Sequence, residues 1–238
     1  MVIPPTERTL PGVDVAVTGV TASTHDFNNQ MRARLPYVFA FVLGLAFVLR
    51  LLTFRSIVIP ATAVALNLLS VGAAYGLLVA VFQYGWLGGH VGFQTNGAIV
   101  SWLPLFLFVV LFGLSMDYHV YILSRVKELH DAGHTTDDAV RLAIARTAGT
   151  VTSAAVIMVA VFGVFASLSL IMFQQMGFGL AVAVLIDATI IRAVLVPATM
   201  ALLGDWNWYL PRRLEWLPSA SGHGRRRRTA PRPVARLN

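Results

Sequence analysis

Over its 238 residues the chain is 57% hydrophobic and only 12% charged, with a mean hydropathy of +0.71. Soluble domains are about 45–50% apolar and about 25% charged, so the balance excludes an ordinary water-soluble domain and indicates a multi-spanning membrane protein. The absence of cysteine excludes disulfides and thiolate metal sites, and a net charge of +7 in such a chain points to topology and anionic lipid, not to nucleic acid.

Residues 1–30 are polar and contain proline, with no apolar run of the kind a signal peptide carries. Val13 to Val20 alternates apolar with small or polar side chains, which predicts a strand. So short a segment buries no core of its own, and it is expected to be the remnant of a larger domain. Residues 31–210 then form the membrane domain. Five apolar runs, near 35–53, 57–82, 100–123, 150–169 and 173–203, each approach or exceed the ~20 residues that cross ~30 Å of hydrocarbon. The expected fold is an all-α integral membrane bundle of five transmembrane helices.

The connections differ in charge. Arg50 and Arg55 flank the first, and the third holds Arg125, Lys127, Arg141 and Arg146. The second, from Gln83 to Ala98, and the fourth, around Leu170 to Met172, have no lysine or arginine. By the positive-inside rule the first and third connections and the tail are cytoplasmic, against the minor opposition of Arg32 and Arg34. Five spans then place the N-terminus outside, which suggests that a preceding span is lost or supplied by another polypeptide. The third connection also predicts a cytoplasmic amphipathic helix. His134 to Asp138 offers capping oxygens and acidic side chains, Val140, Ala143, Ile144 and Ala148 recur at helical spacing, and Gly149 interrupts before the fourth span. Trp206, Trp208, Tyr209 and Trp216 mark an interface, and residues 211–238, with the run Arg225 to Arg228, form a basic tail expected to be disordered.

The chemistry rests on few side chains. Asp117 lies inside the third run, with Ser115 and Gly113 before it and Tyr118 beside it. An Asp at a helix centre costs roughly 2.5–3.5 kcal/mol in a bilayer, so it is kept for a polar neighbour or a task. A carboxyl that is neutral when desolvated and ionised when paired can cycle a proton, and Tyr118 can donate to the ionised form. The competing reading is a structural Asp bonded to a neighbouring helix. Asp187 sits mid-way along the fifth run, with Arg192 five residues on. That spacing is too far round an α-helix for a pair, so Asp187 is expected to bond another helix and Arg192 to reach the interface. Thr152 and Ser153 either relay to Asp117 or bond their own backbone. His119 is expected to face lipid or headgroups. Gly72 and Gly76 have GxxxG spacing for helix packing, and Gly113 leaves room for another helix. No catalytic triad, paired glutamates, phosphate loop or three-ligand metal spacing occurs, so neither an enzyme, a metal nor a cofactor is expected.

Gly113-Leu114-Ser115-Met116-Asp117-Tyr118, followed by Ile122-Leu123-Ser124-Arg125, resembles the acidic-span signature of the MMPL transporters of the resistance-nodulation-division superfamily. Leu66 to Gly76, the stretch Thr152-Ser153-Ala154-Ala155, and Gly204-Asp205-Trp206-Asn207-Trp208 agree with it. The resemblance covers about residues 13–217 and implies spans eight to twelve of a twelve-span plan, with 1–30 the end of a porter-type α/β domain. It implies that Asp117 and Tyr118 form half of a proton relay whose other half lies on a missing N-terminal half or a homologous MMPL subunit. The implied cargo is lipid or another hydrophobic compound, and the implied location a bacterial plasma membrane. The alternative is a membrane fragment that does not transport but scaffolds partner helices and anionic lipid.

Overall fold

The computed structural model describes residues 19–86, 93, 97–211 and 214. Five helices long and apolar enough to span a membrane form the bundle, and no strand occurs among the described residues. They are α1 (Val20–Phe54), α2 (Val58–Phe82), α3 (Leu103–Asp131), α4 (Thr136–Ala166) and a last helix over Ile171–Trp208. The last is composite: α5 (Ile171–Ile186), a π-helical segment (Asp187–Leu195), α6 (Val196–Leu203) and a 3-10 turn (Gly204–Trp208).

Two expectations change. The strand over 13–20 lies mostly outside the described residues, but Val20 already opens α1, a helix of 35 residues. At 1.5 Å per residue that exceeds ~30 Å of hydrocarbon, so its polar first turns extend beyond the bilayer. The amphipathic helix of the third connection is not a separate element either. Residues 136–149 are the first half of α4, which continues through Gly149. A lone glycine weakens a helix without ending it, and here apolar burial at Val140, Ala143 and Val151 holds both sides of it. The N-cap is where the residues place it: Thr135 Oγ1 accepts from the Asp138 amide at 3.2 Å.

The ends of the bundle are stapled differently. At one, α1 stops at Arg55, held left-handed at φ 51°, and Lys127 Nζ donates to the Phe54 carbonyl at 3.0 Å. Ser56, fully buried, accepts from the Val58 amide at 3.2 Å and donates to the Asn207 carbonyl at 2.5 Å. Asn207 Nδ2 in turn donates to the Met200 and Gly204 carbonyls, each at 2.7 Å. The Gly204-to-Trp208 motif thus locks the end of the last helix onto the α1–α2 turn. At the opposite end, buried Gln175 accepts from the Val100 amide at 3.0 Å and donates to the Ala98 carbonyl at 2.9 Å. Gly177 lets α5 lie against the end of α4, since a Cβ there would fall 2.3 Å from the Ala166 nitrogen. Trp86 and Tyr84 are exposed at this end and Trp206 and Tyr209 at the other, as two interface belts require.

Candidate functional site: a buried charged layer behind an exposed aspartate

The apolar core falls into two clusters. One holds Leu78, Phe82, Leu103, Leu107, Phe108 and Leu180; the other holds Phe54, Ile59, Ile122, Val126, Ile191 and Met200. Along every helix that contributes to both, buried polar residues fall between them. Arg50 lies between Ala46 and Phe54 of α1, and Ser115 and His119 between Phe112 and Ile122 of α3. Asn67 and Ser70 precede Val71 on α2, and Asp187 lies between Ala183 and Ile191. A bundle with polar groups in its middle must pair them, because a charge in low dielectric is stable only with a counter-charge and hydrogen bonds.

Asp187 supplies the centre. Its carboxylate forms an ion pair with Arg192, and both residues are only 6% exposed. Ser115 Oγ donates to the other carboxylate oxygen at 3.1 Å. The expectation that Arg192 is an interface anchor is therefore overturned. The reason is local: the chain from Asp187 to Leu195 is π-helical, and i→i+5 hydrogen bonds widen the turn until residues five apart share a face. Asp187 does bond another helix, as expected, through Ser115.

Around this pair the layer closes. The Arg192 guanidinium lies 4.6 Å from the centre of the Tyr118 ring, a cation–π contact. Arg50, fully buried, has no hydrogen-bond partner for its guanidinium nitrogens among the described residues, and its charge acts on Asp187. His119 is also inward, at 1% exposure, not lipid-facing. It sits one turn beyond Ser115, its Nδ1 3.0 Å from the Ser115 carbonyl oxygen and 3.1 Å from Ser115 Oγ. A cavity of about 10 Å³, room for about one water, opens beside Asp187 and is lined by Asn67, Ser70, Ser115 and Arg192.

Asp117 is not part of this layer. It is exposed on the outer side of α3, two positions and about 200° from His119. Gly113, one turn above, is exposed too, and a Cβ there would meet nothing within 4 Å. Tyr121, one turn below, is 39% exposed. Half-buried Tyr118 joins the two sides: it is adjacent to Asp117 in sequence, while its ring lies on Arg192 and its hydroxyl reaches Met158 Sδ at 4.0 Å. Gly72 and Gly76 are likewise exposed, and a Cβ at either would meet nothing within 4 Å among the described residues. Thr152 and Ser153 are exposed, and Ser153 bonds its own backbone at Thr150, 3.0 Å away. Arg50 is the residue whose sequence expectation went no further than flanking the first connection with Arg55. Its i±4 neighbours Ala46 and Phe54 are both core, the signal that it faces inward.

The described residues thus form a helical membrane domain with a buried Asp–Arg pair and an outward Asp. The MMPL family profile matches residues 4–234, and the chain belongs to the MMPL family. It is 44% identical over 211 residues to the mycolic acid-containing lipids exporter MmpL11 of Mycolicibacterium smegmatis, covering 87% of this chain and 22% of that protein. It is 43% identical over 210 residues to the heme uptake protein MmpL11 of Mycobacterium tuberculosis, covering 88% of this chain and 21% of the relative. With the trehalose monomycolate exporter MmpL3 of M. smegmatis it shares 35% identity over 213 residues, 90% of this chain and 21% of the relative. The chain spans roughly a fifth of the length of these relatives. Family and spans together make it a multi-pass bacterial membrane protein.

Proposed function

We propose that this chain acts as the C-terminal membrane portion of a proton-driven exporter of lipids or other hydrophobic compounds, with Asp117 and Tyr118 forming half of the proton relay. The observation that carries this is the placement of Asp117. It is a carboxyl in the middle of an apolar span, on a face the described residues leave open, with Gly113 above it clearing the approach. In lipid such an acid costs roughly 2.5–3.5 kcal/mol, and a helix from a second MMPL half removes that cost by covering it. The chain then meets that half through the α3 face of Gly113, Asp117 and Tyr121, with Gly72 and Gly76 as further close-packing positions.

Protonation of Asp117 changes what the partner helix must neutralise. Tyr118 passes that change inward, because its ring lies against Arg192 of the buried pair. A cation–π contact of about 0.5–2 kcal/mol is enough to shift a two-state packing equilibrium severalfold. The hydrophobic cargo fits the relatives named as exporters of mycolic acid-containing lipids and of trehalose monomycolate. The orientation follows the positive-inside rule, with the Arg55 and Asn207 end cytoplasmic, the N-terminus extracytoplasmic and residues 1–30 belonging to an exported domain. Energy sets the manner of transport. One proton gains about 2.3 kcal/mol per 100 mV, while each CH₂ exposed to water costs about 0.8 kcal/mol, so protein must shield acyl chains throughout.

Asp117→Asn keeps size and hydrogen bonding but removes the titrating group. Proton-coupled export, assayed in the host membrane, is expected to be lost in this variant; export at the wild-type rate would remove Asp117 from the relay.

A further inference from the structure

Between the buried Asp187 and the Asn207 end of the bundle lies one more titratable group, and neither family nor relatives assign it a role. His119 is 1% exposed, yet its Nε2 has no hydrogen-bond partner among the described residues. Buried polar atoms in folded proteins are nearly always paired, so this nitrogen needs a reason. On one side the ring contacts Ser115, which bonds Asp187. On the other it lines a second cavity of about 10 Å³, together with Thr62, Thr199 and Asn207. The first cavity opens beside Asp187, Asn67 and Ser115. Each has room for about one water. A carboxylate–hydroxyl–imidazole chain of Asp187, Ser115 and His119 therefore runs from one small cavity to the other, with His119 lining the second.

Hydrogen-bond bookkeeping assigns the tautomer. Ser115 has one hydroxyl proton, and Asp187 accepts it. The Ser115 carbonyl, 3.0 Å from His119 Nδ1, can only accept, so Nδ1 carries the ring proton. Nε2 is then the basic nitrogen, unpartnered among the described residues, on a ring that lines the cavity of Thr62, Thr199 and Asn207.

We infer that His119 is a proton-carrying residue that connects Asp187 to the cavity at the Asn207 end, forming an inner proton path behind Asp117. This rests on the proton-coupled reading above. Only O–H and N–H bonds change. In the release direction the protonated Asp187 carboxyl gives its proton to Ser115 Oγ as that hydroxyl gives its own to Nδ1 of an Nε2-protonated ring. The imidazolium so formed loses Nε2–H to the cavity, leaving the Nδ1-protonated ring assigned above, and a flip of the ring, which exchanges the places of its two nitrogens, resets it. The net step moves one proton from the carboxyl to the cavity. The charges facing the ring are Arg50 from α1 and Asp187 and Arg192 from the π-helical segment.

The test uses the protein purified from its host membrane, with all that co-purifies, in liposomes carrying an entrapped pH-sensitive dye. His119→Gln keeps a hydrogen-bonding side chain but cannot carry a proton, and proton flux is expected to fall by about a hundredfold. Wild-type flux in His119→Gln, with flux abolished in Asp117→Asn, would sink the inner path and leave the proton-coupled reading standing. Lost flux in His119→Gln with normal flux in Asp117→Asn would support the inner path and remove Asp117. If the wild type itself moves no protons, both fall. A measurement on the unsubstituted protein guards against a variant that fails to fold. In ¹⁵N-histidine solid-state NMR, the ring correlated with the Ser115 carbonyl is expected to convert from the Nδ1-protonated form to imidazolium as the sample is acidified. A ring locked in one form throughout the titration overturns the inference.

Discussion

Removing the negative member of the buried layer should cost far more than removing one of its positive members. Arg50 and Arg192 both act on Asp187, so with a neutral His119 the layer carries two positive charges and one negative. Asp187→Asn leaves two buried guanidiniums without the carboxylate that acts on both. Breaking a buried pair in this way costs about 3–5 kcal/mol, and the second cation puts this case at the upper end. Arg192→Met instead leaves Asp187 with Arg50 and with its bond from Ser115, so a counter-charge survives. Its cost is expected to be about 1–3 kcal/mol, that of an under-satisfied buried acceptor. The assay is reversible unfolding of the purified protein in mixed micelles, followed by circular dichroism at matched lipid content. If Arg192→Met destabilises as much as Asp187→Asn or more, Arg50 does not serve the layer and the charge count is wrong.

Three glycines separate packing within the chain from packing outside it. Gly177→Ala drives a Cβ into the Ala166 backbone and is expected to cost about 1–3 kcal/mol of stability in the same unfolding assay. A Cβ at Gly113 or Gly76 meets nothing among the described residues, so Gly113→Ala and Gly76→Ala should not lower stability while co-purification of a partner half or export activity drops. Asn207→Ala removes both side-chain bonds that close the last helix and should lower stability by about 1–3 kcal/mol, with faster hydrogen exchange at the Ile57 and Tyr209 amides as the local signature.

Much of the membrane domain was legible because its signals are additive and local. Apolar runs of bilayer length need no partner to be recognised, and the helices begin or end within a few residues of most expected limits. Thr135 was legible as a cap because its bond is made three residues away. Where helix boundaries differed, the sequence held a residue with a weak local preference, such as Gly149, that burial of its neighbours overrode. Asp117 was readable as exceptional from cost alone, and the family signature around it agreed with the profile match.

The layer behind it was not readable in that way. Asp187 and Arg192 are apart on an α-helix and together on a π-helix, and nothing in Asp187-Ala188-Thr189-Ile190-Ile191-Arg192 announces the wider turn. His119 and Asp117 are two residues apart, so any α-helix sends them to opposite sides, but which side is inward depends on where α1, α2 and the last helix pack. From sequence alone came the number of spans, the family and the presence of a costly acid, because hydrophobic transfer acts residue by residue. The tertiary structure decided that Asp117 looks out and that Arg50, Ser115, His119, Asp187 and Arg192 meet inside, because pairing of buried charge is settled only between helices.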